Sequence, residues 1–505
     1  MVSIVAQTSR LPAMGRRWGM GEKSTTAMRR VFTILMFLSL SLGCTGHELE
    51  IPAPIPPQEG QTPETPVTPE QPENDEQPED DEQPEDDEQT TPQQVWVSSA
   101  EQVDSLVNLE PGTEIIWQKG IFENQVVTIK VSGSEDRPIV IRAESEGETI
   151  FTGSSRLVVK GSNVVVRGLW WRNPEAVKGK AVITLDRGSR SCVVEQCAIT
   201  GEQTPRKPDI DAKWESIFGY GHRVEQCSFL DKRNMGTLLV VWLDKGGEAP
   251  RHKILRNHFT RPVTLYDDEG SMINGQETIR IGDSSTSLQD AMCSVEGNYF
   301  YECHGEQAEI ISNKSCSNLY RGNLFERSRG SLTLRHGNGC WVSGNYFLGA
   351  GLDNTGGVRV IGENHTVEGN YMQDLMGSGY KSAITLVRGQ KEPALSGYWQ
   401  VKRATVRNNI IVNCKYALNV NYGSSSQVMP VVESQIANNV VSLSSTSYYA
   451  VNYVSEPQPD IEWINNLLYG GRLKGIELPT TEQAPTIPDV SASISNIRRG
   501  AGVRW

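Results

Sequence analysis

Apolar residues along this chain fall in short β-branched stretches, NVVVRGLWW and SQIANNVVSL among them, cut by Gly, Asn and Ser. No helical periodicity of useful length interrupts them, so the pattern predicts strands. An aromatic or aliphatic pair follows Gly-Asn, Asn-Asn or Arg-Asn at Asn257, Asn298, Asn323, Asn345, Asn370, Asn409, Asn439 and Asn466, spaced from Asn298 onward by 25, 22, 25, 39, 30 and 27 residues. VRGLWW near Gly168 and VEQC at Cys197 and Cys227 carry the pattern toward the N-terminus. Strands this short at this period predict an all-β fold, a right-handed parallel β-helix in which each coil of the solenoid buries its apolar residues against its neighbours. A β-propeller is the competing architecture, but its blades need about 40 residues or more. The recurring Asn suits a tight bend, because Asn tolerates left-handed backbone and its amide can hydrogen-bond along a stack. Ahead of the repeats, SSAEQVDSLVNLEPGTEIIWQKGIF predicts a short amphipathic helix after Ser98 and Ser99, then a Pro-Gly turn and a strand. That helix would cap the open end of the solenoid and hide its sheet edge and core.

Composition sets the first 93 residues apart. Arg29 and Arg30 precede an apolar run, Val31 to Leu42, which meets Gly43 and Cys44. The run is too short to span a bilayer. Residues 1–44 read as a lipoprotein-type signal with Cys44 lipidated, although Ser41 stands where a larger aliphatic residue is usual; an ordinary cleaved secretory signal is the alternative. From Thr45 to Gln93 there are sixteen acidic residues and no Lys or Arg, in a Pro-rich stretch containing EQPEDDEQPEDDEQ. Like charges and scarce apolar surface predict an extended, disordered tether over 45–93. The net charge of −13 then divides into +5 for residues 1–44, −16 for the tether and −2 for the folded part, 94–505. A near-neutral domain supplies no global field, so an acidic polymer would need local positive charge. The expectation is an exported bacterial lipoprotein at the cell surface or in the periplasm, monomeric, touching membrane only through Cys44, with no nucleic-acid partner.

Eight cysteines lie in the folded part, and no pair has zinc-finger spacing. An exported chain could bridge them. The shared phrase VEQC instead suggests that Cys197 and Cys227 hold equivalent inward positions in successive coils, and both readings stay open.

The candidate chemistry is concentrated between Asn274 and Gly349. Lys314 and Arg335 lie 21 residues apart, close to one coil. They should project from neighbouring turns of one face, with backbones about 4.8 Å apart. Two adjacent cations are unfavourable unless an anion is bound between them, which points to a carboxylated or sulfated ligand. The structural alternative is that both merely solvate the outer face of a sheet.

NGQETIRIG, AEIISNKSC and LRHGNGCWVSGNYFLG resemble the polysaccharide lyase family that contains alginate lyases and chondroitinase B, known as polysaccharide lyase family 6, and the likeness extends over most of residues 94 to about 420. The resemblance implies β-elimination on a uronate polysaccharide, alginate before dermatan sulfate, leaving a 4,5-unsaturated sugar. It implies Lys314 as base and Arg335 as acid. Lys acts as a base only when neutral, a form that burial and neighbouring cations favour. Arg scarcely deprotonates, so charge stabilisation of the leaving oxygen, with water as donor, is an equal reading for Arg335. His336 is either a helper or a hydrogen-bonded structural neighbour. Arg280, in ETIRIG, is a candidate contact for the substrate carboxylate, and Tyr380 and Lys381 could line a groove beyond, as could Arg388. Family members commonly hold calcium with one Asn and two Glu at i, i+2. Here Asn274, Glu277 and Glu309 are the candidate metal ligands, but Gln307 replaces an expected Glu. Glu306 would need a one-residue shift that turns the opposite strand face to the ligand. Loss of one carboxylate weakens calcium binding, so weak or absent calcium dependence is expected. A tethered carbohydrate-binding β-helix without catalysis is the competing class.

Overall fold

A computed structural model describes residues 92–505. The signal-like run, Cys44 and the acidic stretch up to residue 91 lie outside the described residues. The rest is a stack of coils, each passing once through three parallel sheets of 14, 13 and 13 strands. One coil runs from Leu319–Arg321 in the first sheet to Leu324–Glu326 in the second and Gly330–His336 in the third. Neighbouring coils pair in parallel at every strand, the arrangement of a parallel β-helix, and the strands are mostly three to five residues long.

Alternation along each strand decides what enters the core. In the second sheet Phe229, Phe259, Phe300, Phe325 and Phe347 face inward and stack ring on ring, with centroids 5.2, 5.0, 4.6 and 4.6 Å apart. Parallel pairing places like residues over like, so the aromatic row runs through five successive coils and continues as Ile199 before it and Met372 and Ile411 after it.

The bend between first and second sheets explains the recurring Asn. Eight asparagines, from Asn257 to Asn466, form a ladder, buried as far as Asn439. Each of the first seven donates its backbone N–H and its Nδ2 to the Oδ1 of the next, as Asn298 does to Asn323 at 3.0 Å for both bonds. Nδ2 also donates to a carbonyl of the neighbouring coil, as Asn345 does to Tyr320. The left-handed residue is the one before it: Arg256, Gly297, Gly322, Gly344, Gly369, Asn408, Asn438 and Asn465 have φ between 49° and 63°. In an Asn-Asn pair the first residue makes the bend and the second makes the ladder. Toward the N-terminus the same row continues as cysteine, Cys227 donating its N–H to Asn257 Oδ1. All eight described cysteines are buried free thiols.

The predicted cap is present. Helix Ala100–Asp104 begins at Ser99 with a reciprocal capping box to Gln102 and buries Val103. The coils continue to strand Arg472–Lys474, and the chain then doubles back along the second sheet through helix Ser491–Gly500. Arg498 pairs with Glu326, Gly502 donates to the Arg256 carbonyl, and Trp505 Nε1 donates to the Gln196 carbonyl. The C-terminal segment is therefore a strap over the second sheet.

Two inward positions of the third sheet are polar: Asn313, which is hydrogen-bonded on all sides, and Glu215, which is not. Glu215 pairs in register with Ile183 and Leu239, and both its carboxylate oxygens are buried without a partner. Burial pushes its pKa up to about 8. A raised carboxyl pKa means that stability is greatest below the unfolded value near 4.5 and falls as pH rises toward 8, by roughly 5 kcal/mol at the limit. Glu215→Met should therefore flatten the decline of the thermal unfolding midpoint between pH 5 and 8 and raise the midpoint at pH 8. An unchanged pH slope would show that Glu215 is not the titrating group.

Candidate active site on the third sheet

Strands Leu239–Val241, Ile279–Ile281, Glu309–Lys314, Gly330–His336, Thr355–Val360 and Ile384–Val387 lie side by side in the third sheet. Ile279, Ile311, Leu332 and Val358 point inward in register, so the residues after them, Arg280, Ser312, Thr333 and Arg359, form one outward row. The hydroxyls of Ser312 and Thr333 are buried without a protein partner. This row is the floor of the site.

At the C-terminal ends of the central strands stand Lys314, Arg335 and His336. The predicted 21-residue register holds as far as Asn313 against Leu334, then shifts so that Lys314 opposes His336. Arg335 is the extra residue of a bulge, a device that re-aims a side chain at the edge of a site. Lys314 remains 21% exposed. Arg335 Nη1 lies 2.9 Å from His336 Nε2 and donates to the Gly397 carbonyl at 2.9 Å, while Nη2 donates to the Ser396 carbonyl at 3.0 Å. Its guanidinium carbon stacks 4.3 Å from the Tyr398 ring. Because Arg335 is a donor only, His336 Nε2 accepts and the ring proton sits on Nδ1. Burial, with Arg335 and Lys314 adding positive charge, pushes the His336 pKa down to about 4, so the ring is neutral near pH 7. Burial also pulls the Arg335 guanidinium below its ordinary value.

At the opposite ends of the strands three carboxylates meet. Glu277, Glu306 and Glu309 each place an oxygen within 4.8 Å of the others. This differs from the expected set of Asn274, Glu277 and Glu309. Asn274 is exposed on the approach loop, whereas Glu306 accepts the N–H groups of Gly275 at 2.7 Å and Gln276 at 3.2 Å. The strand-alternation argument fails for Glu306 because it precedes strand Glu309–Lys314, in a turn where Gly305 has φ of 45° and Gln307 of 54°. Gln307 is engaged with Thr264 and Asn354 instead.

The charge of these acids is answered from within the protein. Arg359 pairs with Glu309. Lys314 Nζ lies 4.0 Å from Glu277 Oε1, and Thr237 donates to Glu277 Oε2 at 2.9 Å. Arg261, fully buried, donates to the Glu277 carbonyl from below. Burial and the two neighbouring carboxylates raise the Glu306 pKa. Calcium takes roughly six to eight oxygen ligands; with Arg359 seated on Glu309 and Lys314 facing Glu277, this trio does not fit it.

The remaining predicted residues divide. Arg280 stands on the floor with its guanidinium carbon 4.8 Å from the Trp242 ring, and no carboxylate pairs with it among the described residues. Tyr380 and Lys381 lie in a short 3₁₀ turn, Gly379–Lys381, beside Arg359, whose guanidinium carbon is 5.7 Å from the Tyr380 ring. Burial and Arg359 lower the Lys381 pKa. Arg388 is structural, donating to the carbonyls of Gly423, Ser424 and Glu456. Arg359 and Tyr398 are absent from the sequence-based set. Arg359 was detectable, because VRVIG around it repeats the IRIG of Arg280; Tyr398 arrives on a loop with no periodic signal.

The chondroitinase B family profile matches residues 97–470. Among solved structures, the PL6 family alginate lyase AlyGC superposes with a TM-score of 0.71 at 29% identity over 81% of this chain, which spans 57% of that enzyme's length. A mannuronic acid specific family 6 lyase from human gut microbiota gives 0.68 at 24% identity, over 82% of this chain and 96% of that one. A PL6 polysaccharide lyase from Pseudopedobacter saltans gives 0.66 at 22% identity, over 81% and 99%. The last two show the fold alone. A search of curated protein sequences finds no match. With the profile spanning most of the coils and the site lying inside it, this chain belongs to the chondroitinase B family of polysaccharide lyases, PL6.

Proposed function

We propose that the protein is a lyase that cleaves a uronate polysaccharide, alginate, by β-elimination. The observation that carries this reading is the convergence of Lys314 and Arg335 on His336 at one edge of the outer face, beside Arg280 and the unpaired hydroxyls of Ser312 and Thr333. A sugar ring on this floor would meet an amine and a guanidinium together.

In the elimination, Lys314 as the free amine takes the proton on C5. The C–H electron pair becomes the C4–C5 double bond, and the C4–O bond breaks with its electrons moving to the leaving oxygen. That oxygen is stabilised by the Arg335 guanidinium and takes a proton from water; Lys314 returns its own to solvent. Charge developing on the carboxylate as C5 loses its proton needs fixed positive groups aimed at it, and Arg280 and Lys381 are the floor cations without a carboxylate partner among the described residues. His336, neutral and accepting from Arg335, holds that guanidinium in place.

Lys314→Ala and Arg335→Ala should each lower the rate of unsaturated-product formation, read as ultraviolet absorbance, by at least about 10³-fold while the fold is kept. Assaying mannuronate-rich and guluronate-rich alginate beside dermatan sulfate reports the substrate; product from dermatan sulfate alone would overturn the alginate assignment, and activity retained in both variants would overturn the chemistry.

The proposal includes independence from calcium, with Arg359, paired with Glu309, supplying positive charge at the acidic trio. A chelator should leave the wild-type rate within about twofold. Arg359→Ala should lower activity and leave Glu309 free, so that millimolar calcium restores part of the loss. Full chelator inactivation of the wild type, reversed by calcium, would be inconsistent with this arrangement.

The protein is also proposed to act from a membrane surface, on the strength of the apolar run ending at Cys44 and the acidic stretch after it. In cells, Cys44→Ala should move the protein from the membrane to the soluble fraction; unchanged partitioning would exclude Cys44 as the anchor.

A further inference from the structure

The floor of the site does not stop at Arg280. Toward the N-terminal coils the same outward row continues through Val240, Ser216, Thr184 and Val158, each in register with the next. Over Ser216, Thr184 and Val158 lies a groove of about 420 Å³, bounded on the side of the site by Trp242.

Its walls are chemically distinct. The position held by Lys314, one residue past Asn313, is held in earlier coils by Gly282, Trp242 and Phe218. Phe218 and Trp242 stack with centroids 5.8 Å apart and planes 10° from parallel. Arg187 covers one end of this stack, 4.9 Å from the Phe218 ring, and Arg280 the other, 4.8 Å from Trp242. The facing wall carries Arg156, Lys180 and Lys213. Lys213 pairs with Asp211, while neither Arg156 nor Lys180 has a carboxylate partner among the described residues. A sugar presents an apolar ring face and a uronate adds a carboxylate, so one wall suits the ring and the other the charge.

The other side of the site is closed. The loop after strand Ile384–Val387 returns over the intervening coil to place Ser396, Gly397 and Tyr398 on Arg335. A polymer can therefore run on from the reacting bond over the N-terminal coils, but meets this wall in the opposite direction.

We propose that the groove between the Phe218 and Trp242 wall and the Arg156, Lys180 and Lys213 wall is an extended binding site for an anionic polysaccharide, continuous with the site of Lys314 and Arg335. It rests on the reading of that site as a lyase centre and adds the direction in which the polymer lies. Trp242 and Arg280 mark the junction between the two parts.

The test uses Trp242→Ala and the double variant Arg156→Gln, Lys180→Gln, each made in the active protein and in the Lys314→Ala background. With long alginate, KM should rise about tenfold in each, the size of one well-made aromatic or charged contact, with the loss falling on KM rather than kcat. With a trisaccharide the rise should be smaller, since a short chain reaches fewer groove positions. In the Lys314→Ala background, affinity electrophoresis in alginate gels should show the same tenfold weakening. Equal KM and equal gel retardation in both variants would overturn the proposal, as would a parent protein that neither binds nor cleaves the polymer. If the parent binds but does not cleave, the lyase reading fails while Trp242-dependent and Arg156-dependent retardation still supports the groove. Thermal unfolding of Trp242→Ala checks its fold, and the double variant changes only side chains that line the groove.

Discussion

Strict parallel stacking is the constraint on which the rest of this structure depends. Each coil hydrogen-bonds to the next along three sheets, so equivalent positions form straight rows with a rise of about 4.8 Å per coil. A row must then be chemically compatible with itself. Inward rows satisfy this with stacked phenylalanines or with a ladder of amides that hydrogen-bond to one another. Glu215 is an inward carboxyl that stays neutral because no partner reaches it.

The outer face of the third sheet uses the same geometry for the opposite end. Rows of cations are self-repelling, and the protein relieves them unevenly. Arg359 is paired with Glu309, and Lys314 is set opposite Glu277. Arg335 is held by two carbonyls, a neutral histidine and a tyrosine ring rather than by a carboxylate. Its charge is oriented without being cancelled, which is the condition for acting on an anion. The acidic trio faces these cations from within the protein.

Much of this was legible in the residues. The Gly-Asn and Asn-Asn phrases mark both bend and ladder, because only a few residue types accept left-handed backbone and only an amide both donates and accepts along a stack. Lys314 and Arg335 were legible for a related reason: a spacing of one coil implies one face. Less legible were contacts made by irregular backbone. Glu306 enters the acidic trio from a turn, where strand alternation does not apply, and Tyr398 reaches Arg335 from a loop folded back over a coil.

The sequence by itself determined the solenoid, its capping helix, the row that carries the two cations and the family, because each depends on local periodicity repeated along the chain. The tertiary structure alone decided the bulge that makes Arg335 the extra residue, the pairing of Arg359 with Glu309, the wall at Tyr398 and the strap that returns along the second sheet. These are contacts between residues tens to hundreds of positions apart, set by how coils stack and where loops fold back, and no repeat in the sequence encodes them.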